Sequence, residues 1–128
     1  MTSDELTEFA ERYADAWGSH DPEKVAAFYA KNGSISVNGA APVAIAEVAR
    51  GFMRDFPDIV VTFDRLESRP DGTAFHWTFT GTNTGPGGTG TKVRISGYEL
   101  WKIGDDGLIA ESKGNFDVAD YERQLKKK

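Results

Sequence analysis

The order of the predicted elements indicates an α+β fold in which helices come first and strands follow. In most of the chain up to Pro57 the apolar residues recur at helical spacing, and beyond it the period falls to about two. The segments after Pro57 are separated by short turn sequences, so they should form strands that pair antiparallel. We therefore predict three N-terminal helices packed on one face of a curved, mainly antiparallel sheet.

Two helices open the chain. The first is predicted over residues 3–18, where apolar residues repeat at helical spacing, and residues 2–5 offer a capping box at its start. The second is predicted over residues 22–30. It follows Asp21 as its cap, with Pro22 at the first helical position, where a missing N–H costs least.

A short strand and a third helix come next. Residues 33–39 alternate in polarity and predict the strand, and the apolar stripe over residues 43–56 predicts the helix, which Pro57 stops. Four longer strands follow, with turn sequences between them, at 59–68, 73–83, 92–103 and 108–117. Residues 118–126 predict a terminal helical turn, and we interpret the closing Lys126-Lys127-Lys128 run as a solvated helix end.

Composition excludes several kinds of chemistry. The 128 residues, 14.0 kDa in mass, predict one domain over residues 1–128. The sequence contains no Cys, which excludes disulfides and thiolate chemistry, and its two His residues, His20 and His76, cannot form a three-His metal site. It has no apolar run of membrane-spanning length and no signal peptide at its start, so we expect a cytoplasmic protein without a membrane partner.

The net charge of −5 is concentrated at the start of the chain. Residues 1–30 contain seven acidic and two basic residues, whereas the rest of the sequence is balanced. Because no basic face is predicted, we do not expect a nucleic-acid partner.

Four segments carry a resemblance to a known family. They are FAERYADAWGSHDPEKVAAFYA, HWTFTGTNTG, YELWKIGDDGLIAE and FDVADYERQL, and their order and spacing extend the resemblance over essentially the whole chain. The sequence resembles the nuclear transport factor 2-like superfamily, and within it the SnoaL-like polyketide cyclases. This resemblance implies a cone-shaped α+β barrel of the cystatin-like type, a pocket at its open end, no cofactor, and a homodimer through the outer sheet face.

The resemblance implies a general acid/base at Asp117, which precedes Gln124-Leu125 by seven residues, as the family's catalytic Asp precedes its Gln-Leu pair. Ring closure by aldol addition needs such a group, because a proton leaves carbon and another reaches the carbonyl oxygen. The alternative is that Asp117 only caps the terminal helix. Two positions depart from the family: Asn83 stands where it often has His, and Lys113 where it often has Trp.

A similarity to ketosteroid isomerases, which share this fold, implies an oxyanion hole made by Tyr13 and Glu99. The alternation along 92–103 independently points Glu99 to the apolar, inner face. The alternatives are a core tyrosine bonded to Glu99 or to backbone, and a surface ion pair of Glu99 after a β-bulge. The position of the general base in the isomerases is occupied by Val37 in this sequence, which argues against a proton-transfer isomerase of that type.

Aromatic residues are expected to form the core and to line the pocket. A pocket of this kind would suit a flat, apolar ligand. His76 has the opposite parity to its neighbour in the strand, so it should lie on the outer sheet face. The candidate substrate-binding residues are Trp17, Phe52, Phe56, Trp77, Phe79 and Trp101.

Three functions follow from these observations. The first is a cofactor-free enzyme of cyclase or isomerase type that acts on an apolar carbonyl compound, with Asp117 exchanging protons and Tyr13, Asn83 and Glu99 binding oxygens. The second is a non-catalytic ligand-binding protein. The third is a dimeric interaction protein, which would expose an apolar patch on strands 59–68 and 92–103. If the first is right, Asp117, Tyr13 and Asn83 should converge on one cavity.

Overall fold

The computed structural model describes residues 2–126, so the predicted lysine end at 127–128 lies outside it. Its helices are α1 (Ser3–Trp17), α2 (Pro22–Ala26), α3 (Ile45–Asp55) and α4 (Val118–Lys126). Its strands are β1 (Tyr29–Val37), β2 (Val43–Ala44), β3 (Val60–Arg69), β4 (Gly72–Thr82), β5 (Lys92–Ile103) and β6 (Ile109–Phe116). No helix within this range is long and apolar enough to cross a membrane.

The strands form one six-stranded sheet in the order β2-β1-β6-β5-β4-β3. The strands β3 to β6 pair antiparallel in sequence order, as their short turns predict, while β1 lies parallel to β6. The predicted α+β fold with a mainly antiparallel sheet is therefore confirmed. The capping box at the start of α1 is also present, formed by Thr2 and Glu5.

Two predicted helix boundaries are wrong because strand pairing overrides the helical pattern. The second helix ends at Ala26 and not at residue 30, since Tyr29 pairs with Ile109 at the start of β1. The third helix begins at Ile45 and not at residue 43, since Val43 and Ala44 pair with β1.

The core lies between α1 and the inner face of the sheet. Trp101 of β5 stacks on Phe75 of β4 at 4.8 Å between ring centroids, and Tyr13 of α1 meets both rings edge-on at 5.3 Å. Each of these side chains is fully buried. This packing brings the hydroxyl of Tyr13 down onto the inner surface of β5.

Strand β5 loses its β6 neighbour at Gly97, which forms the last β5–β6 pair with Phe116. Beyond this point α4 covers the free edge of β5. The Gln124 side chain accepts from the backbone N–H of Arg94 at 2.7 Å and donates to its carbonyl at 2.8 Å. It thus replaces a neighbouring strand and fixes α4 beside the inner face.

The outer face of the sheet is largely polar. The Thr78 hydroxyl donates to Asp64 at 2.7 Å, and His76 Nε2 lies 3.0 Å from a Glu67 carboxylate oxygen. His76 therefore lies on the outer face, as its parity predicts.

Gly97→Ala should lower the free energy of unfolding by about 1–3 kcal/mol, the usual cost of overpacking. A Cβ at this position would run into the Asn115 carbonyl oxygen and would lie 2.8 Å from the Trp77 ring. Gly51→Ala in α3 is the matched control, because its Cβ would meet open space and Ala favours a helix by roughly 0.5–1 kcal/mol. Urea unfolding of both variants tests this, and equal midpoints for Gly97→Ala and wild type would contradict it.

Candidate functional site

A partly open, apolar cavity of about 70 Å³ lies between the inner face of the sheet and helices α1, α3 and α4. Its aromatic walls are Trp17, Phe52, Trp77, Phe79, Phe116 and Tyr121. Its other apolar lining residues are Ile35, Val37, Val48, Val61, Ile95 and Gly114. The remaining lining residue is Glu99, so the cavity presents a single carboxyl group within an apolar surface.

Glu99 points inward because β5 keeps its alternation through this region. It lies opposite Phe75 of β4 and Gly114 of β6, and the register is unbroken at both pairs. Its side chain is 5% exposed. The inward orientation predicted from the alternation is therefore found, whereas the alternative of a surface ion pair after a bulge is wrong.

Four neutral donors converge on one oxygen of this carboxyl group. Glu99 Oε1 accepts from Trp101 Nε1 at 3.0 Å, from Ser112 Oγ at 2.9 Å and from the hydroxyls of Tyr13 and Tyr29 at 3.0 and 3.1 Å. The donors come from α1, β1, β5 and β6. The carboxyl group is thus the point at which the first helix and three strands meet.

The second oxygen, Oε2, is less committed. Among residues 2–126 its single partner is the Tyr13 hydroxyl at 3.1 Å, which is shared with Oε1. An indole N–H only donates, so Oε1 must act as an acceptor, and a proton on Glu99 would reside on Oε2. Glu99 also lines the cavity, and of its two oxygens Oε2 has the fewer protein partners among the described residues.

Burial controls the ionisation of this cluster. It raises the pKa of Glu99 above its usual value near 4.5, although the four donors act in the opposite direction. Burial and the negative charge of Glu99 raise the pKa of Tyr13 and of Tyr29 well above 10. Both phenols therefore stay protonated and donate, while Glu99 is the group whose charge changes at a pH nearer neutrality.

The predicted oxyanion hole is not formed. The Tyr13 hydroxyl lies 3.0 Å from that of Tyr29 and is hydrogen-bonded to Glu99, and Tyr13 does not line the cavity. Tyr13 is therefore a core tyrosine bonded to Glu99, the alternative weighed above. Val37, at the position of the isomerase base, forms part of the apolar wall.

The expected convergence of Asp117, Tyr13 and Asn83 on the cavity is wrong. Asp117 is exposed, and its Oδ1 accepts from the backbone N–H of Asp120 at 3.1 Å, so it caps α4. Asn83 donates to the Asp55 carbonyl at 3.1 Å and accepts from the Thr89 N–H at 2.9 Å. Backbone groups thus bind both polar atoms of Asn83 and one carboxylate oxygen of Asp117.

The aromatic candidates divide into two groups. Trp17, Phe52, Trp77 and Phe79 line the cavity, whereas Phe56 and Trp101 are fully buried in the core. Sequence reasoning missed Tyr29 and Ser112 as partners of Glu99. The parity of the last strand could have revealed Ser112, while the overlong second helix concealed Tyr29.

The pH dependence of stability tests the raised pKa of Glu99. Between 4.5 and the higher folded-state pKa, the folded protein holds this proton more tightly than the unfolded chain. The free energy of unfolding of wild type minus that of Glu99→Gln should therefore be greatest below pH 4.5. It should decline as the pH rises through this window, by at most about 1.4 kcal/mol per pH unit. Denaturant unfolding across pH measures it, with Glu111→Gln, a half-exposed carboxylate outside the cluster, as the control. A relative stability that increases with pH would contradict the assignment.

Comparisons with known proteins agree with this architecture. The structure is similar to TsrD from Streptomyces laurentii, with a TM-score of 0.80 and 20% identity over 98% of this chain and 97% of that one. It is similar to a protein with a ketosteroid isomerase-like fold from Catenulispora acidiphila in complex with trimethylamine, with a TM-score of 0.78 and 14% identity over 93% of this chain and 92% of that one. It is also similar to an LEH-like epoxide hydrolase from M. tuberculosis, with a TM-score of 0.71 and 17% identity over 95% of this chain and 90% of that one. At these identities they establish the fold. No curated protein sequence gives a significant match.

A match to a family model shows which family this chain belongs to. The model of the SnoaL-like polyketide cyclases matches residues 7–125, which is nearly the whole chain and includes every lining residue of the cavity. The chain therefore belongs to the SnoaL-like polyketide cyclase family.

Proposed function

We propose that the cavity binds an apolar small molecule with a carbonyl group, and that Glu99 exchanges the proton in a cofactor-free reaction of cyclase or isomerase type. One observation carries the proposal: Glu99 is buried, it lines an apolar cavity, and four neutral donors hold its Oε1 while Oε2 accepts only from the shared Tyr13 hydroxyl among the described residues. The proton-exchange role inferred for Asp117 from the family resemblance is thus transferred to Glu99.

The arrangement suits proton transfer in both directions. Ring closure or isomerisation next to a carbonyl removes a proton from carbon and delivers one to oxygen. A carboxyl group with a raised pKa holds a proton closer to neutral pH than an ordinary Glu does. The four donors hold its orientation, and the apolar walls exclude water that would compete for the proton.

Relatives support a small organic ligand. The family takes its description from polyketide cyclases, one similar structure is described as an epoxide hydrolase, and another contains trimethylamine. These descriptions belong to those proteins, and they favour the same kind of use for this cavity.

Non-catalytic binding is the second candidate. The observation in its favour is that Val37, an apolar residue, stands at the position of the isomerase base, so Glu99 has no second carboxyl partner in the cavity. A binding protein would hold the same ligand without exchanging its protons.

Hydrogen–deuterium exchange separates the two candidates. Wild-type protein should accelerate α-deuteration of acetophenone or cyclohexanone in D₂O, followed by NMR, and Glu99→Gln should lose about 10²-fold or more of that rate. Glu111→Gln, the half-exposed control, should match wild type.

Asp117→Asn provides the opposing test. If it removed the exchange while Glu99→Gln retained it, Glu99 would not be the proton-transfer group. If wild type bound acetophenone with no more exchange than Glu99→Gln, non-catalytic binding would be favoured.

The homodimer through the outer sheet face stays a prediction. Among the described residues the large apolar side chains that are exposed are Val43, Val60 and Val118, and Val60 alone lies on either of the two strands expected to carry an apolar patch. Sedimentation velocity at increasing protein concentration tests it, and a dimer that Val60→Glu weakens is the expected result. A monomer at all concentrations would contradict it.

A further inference from the structure

We infer that the cavity receives the alkylated ammonium group of an organic cation, held between Glu99 and the aromatic walls. The inference goes beyond the proposed function and rests on it only in that the cavity is a binding site, because the cation would compete with a carbonyl ligand for the Glu99 carboxyl group.

Glu99 lacks a cationic partner among residues 2–126. All four groups that donate to it are neutral: two phenols, a hydroxyl and an indole. None of the ion pairs in the described part of the chain includes it. A buried carboxylate without a counterion is costly, so a ligand that brings a positive charge would gain what the protein does not supply.

The sheet keeps the neighbouring lysine away from this carboxyl group. Glu99 is opposite Gly114 in the register, and the adjacent pair is Leu100 and Lys113. Because successive residues of a strand point to opposite faces, Lys113 is directed outward, where it is exposed. The glycine opposite Glu99 leaves the space open, since an added Cβ would lie 3.9 Å from Glu99 Cγ without a clash.

The other walls suit the alkyl part of a cation. Six of the lining residues carry aromatic rings, and the π-faces of such rings attract alkylammonium groups. Glu99 is the one acid in the lining, so a primary ammonium, with three N–H donors, would leave donors without acceptors. A tertiary ammonium places its single N–H on Oε2, and a quaternary one has none to satisfy.

The volume agrees with a compact head group. A water molecule occupies roughly 10–15 Å³ by this measure, so about 70 Å³ accommodates roughly five heavy atoms. A trimethylammonium group has four heavy atoms, and the rest of such a molecule would extend out of the partly open cavity.

Choline and 3,3-dimethylbutan-1-ol provide a matched pair of probes, because they share a shape and differ in charge. Isothermal titration calorimetry at pH 8 should show that wild type binds choline at least about tenfold more tightly than it binds 3,3-dimethylbutan-1-ol. Glu99→Gln should abolish that preference, whereas Glu111→Gln should retain it. Trp77→Leu, which removes one ring of the wall, should weaken choline more than the alcohol and does not depend on how Glu99→Gln folds.

Equal or tighter binding of the alcohol by wild type would overturn the inference, as would an undiminished choline preference in Glu99→Gln or the binding of neither probe. These failures differ from failure of the proposed function. Ketone exchange that depends on Glu99 without a charge preference would remove only the inference about the cation. A charge preference without exchange would remove only the proton-transfer role.

Discussion

The burial of the Glu99 carboxyl group is the constraint on which the rest of the site depends. A carboxylate taken out of water must find compensating interactions, and here four neutral donors from α1, β1, β5 and β6 provide them. Each such hydrogen bond to a charged group typically contributes about 1.5–3 kcal/mol. The same contacts therefore fix the first helix against the sheet and hold the one acidic group of the cavity in a single orientation.

The two carboxyl oxygens of Glu99 have different surroundings. Oε1 accepts from Tyr13, Tyr29, Ser112 and Trp101 in the core, whereas Oε2 accepts only from Tyr13 among the described residues. Asp117 differs, because it is exposed and its Oδ1 caps α4. The polar chemistry of the cavity thus depends on an acid within the sheet and not on the acid at its edge.

Much of this could be predicted from periodicity. The change of period near Pro57 indicated the α+β fold, and the alternation in β5 pointed Glu99 inward, because both patterns reflect which face is buried. The sequence offered the capping of α4 by Asp117 as an alternative. The contacts of Asn83 could not be predicted, since they depend on which backbone groups lie within reach after folding. Tyr29 was missed for a similar reason: pairing of β1 with distant β6 overrode a local helical pattern.

The most direct test of the central claim is a ¹³C NMR titration of the Glu99 side-chain carboxyl carbon in the free protein and with choline present. We predict that the pKa of Glu99 in the free protein lies above the usual value near 4.5, and that choline changes the chemical shift of Glu99 but not that of Glu111. A pKa of Glu99 at or below the usual value, together with a chemical shift that choline leaves unchanged, would contradict the central claim.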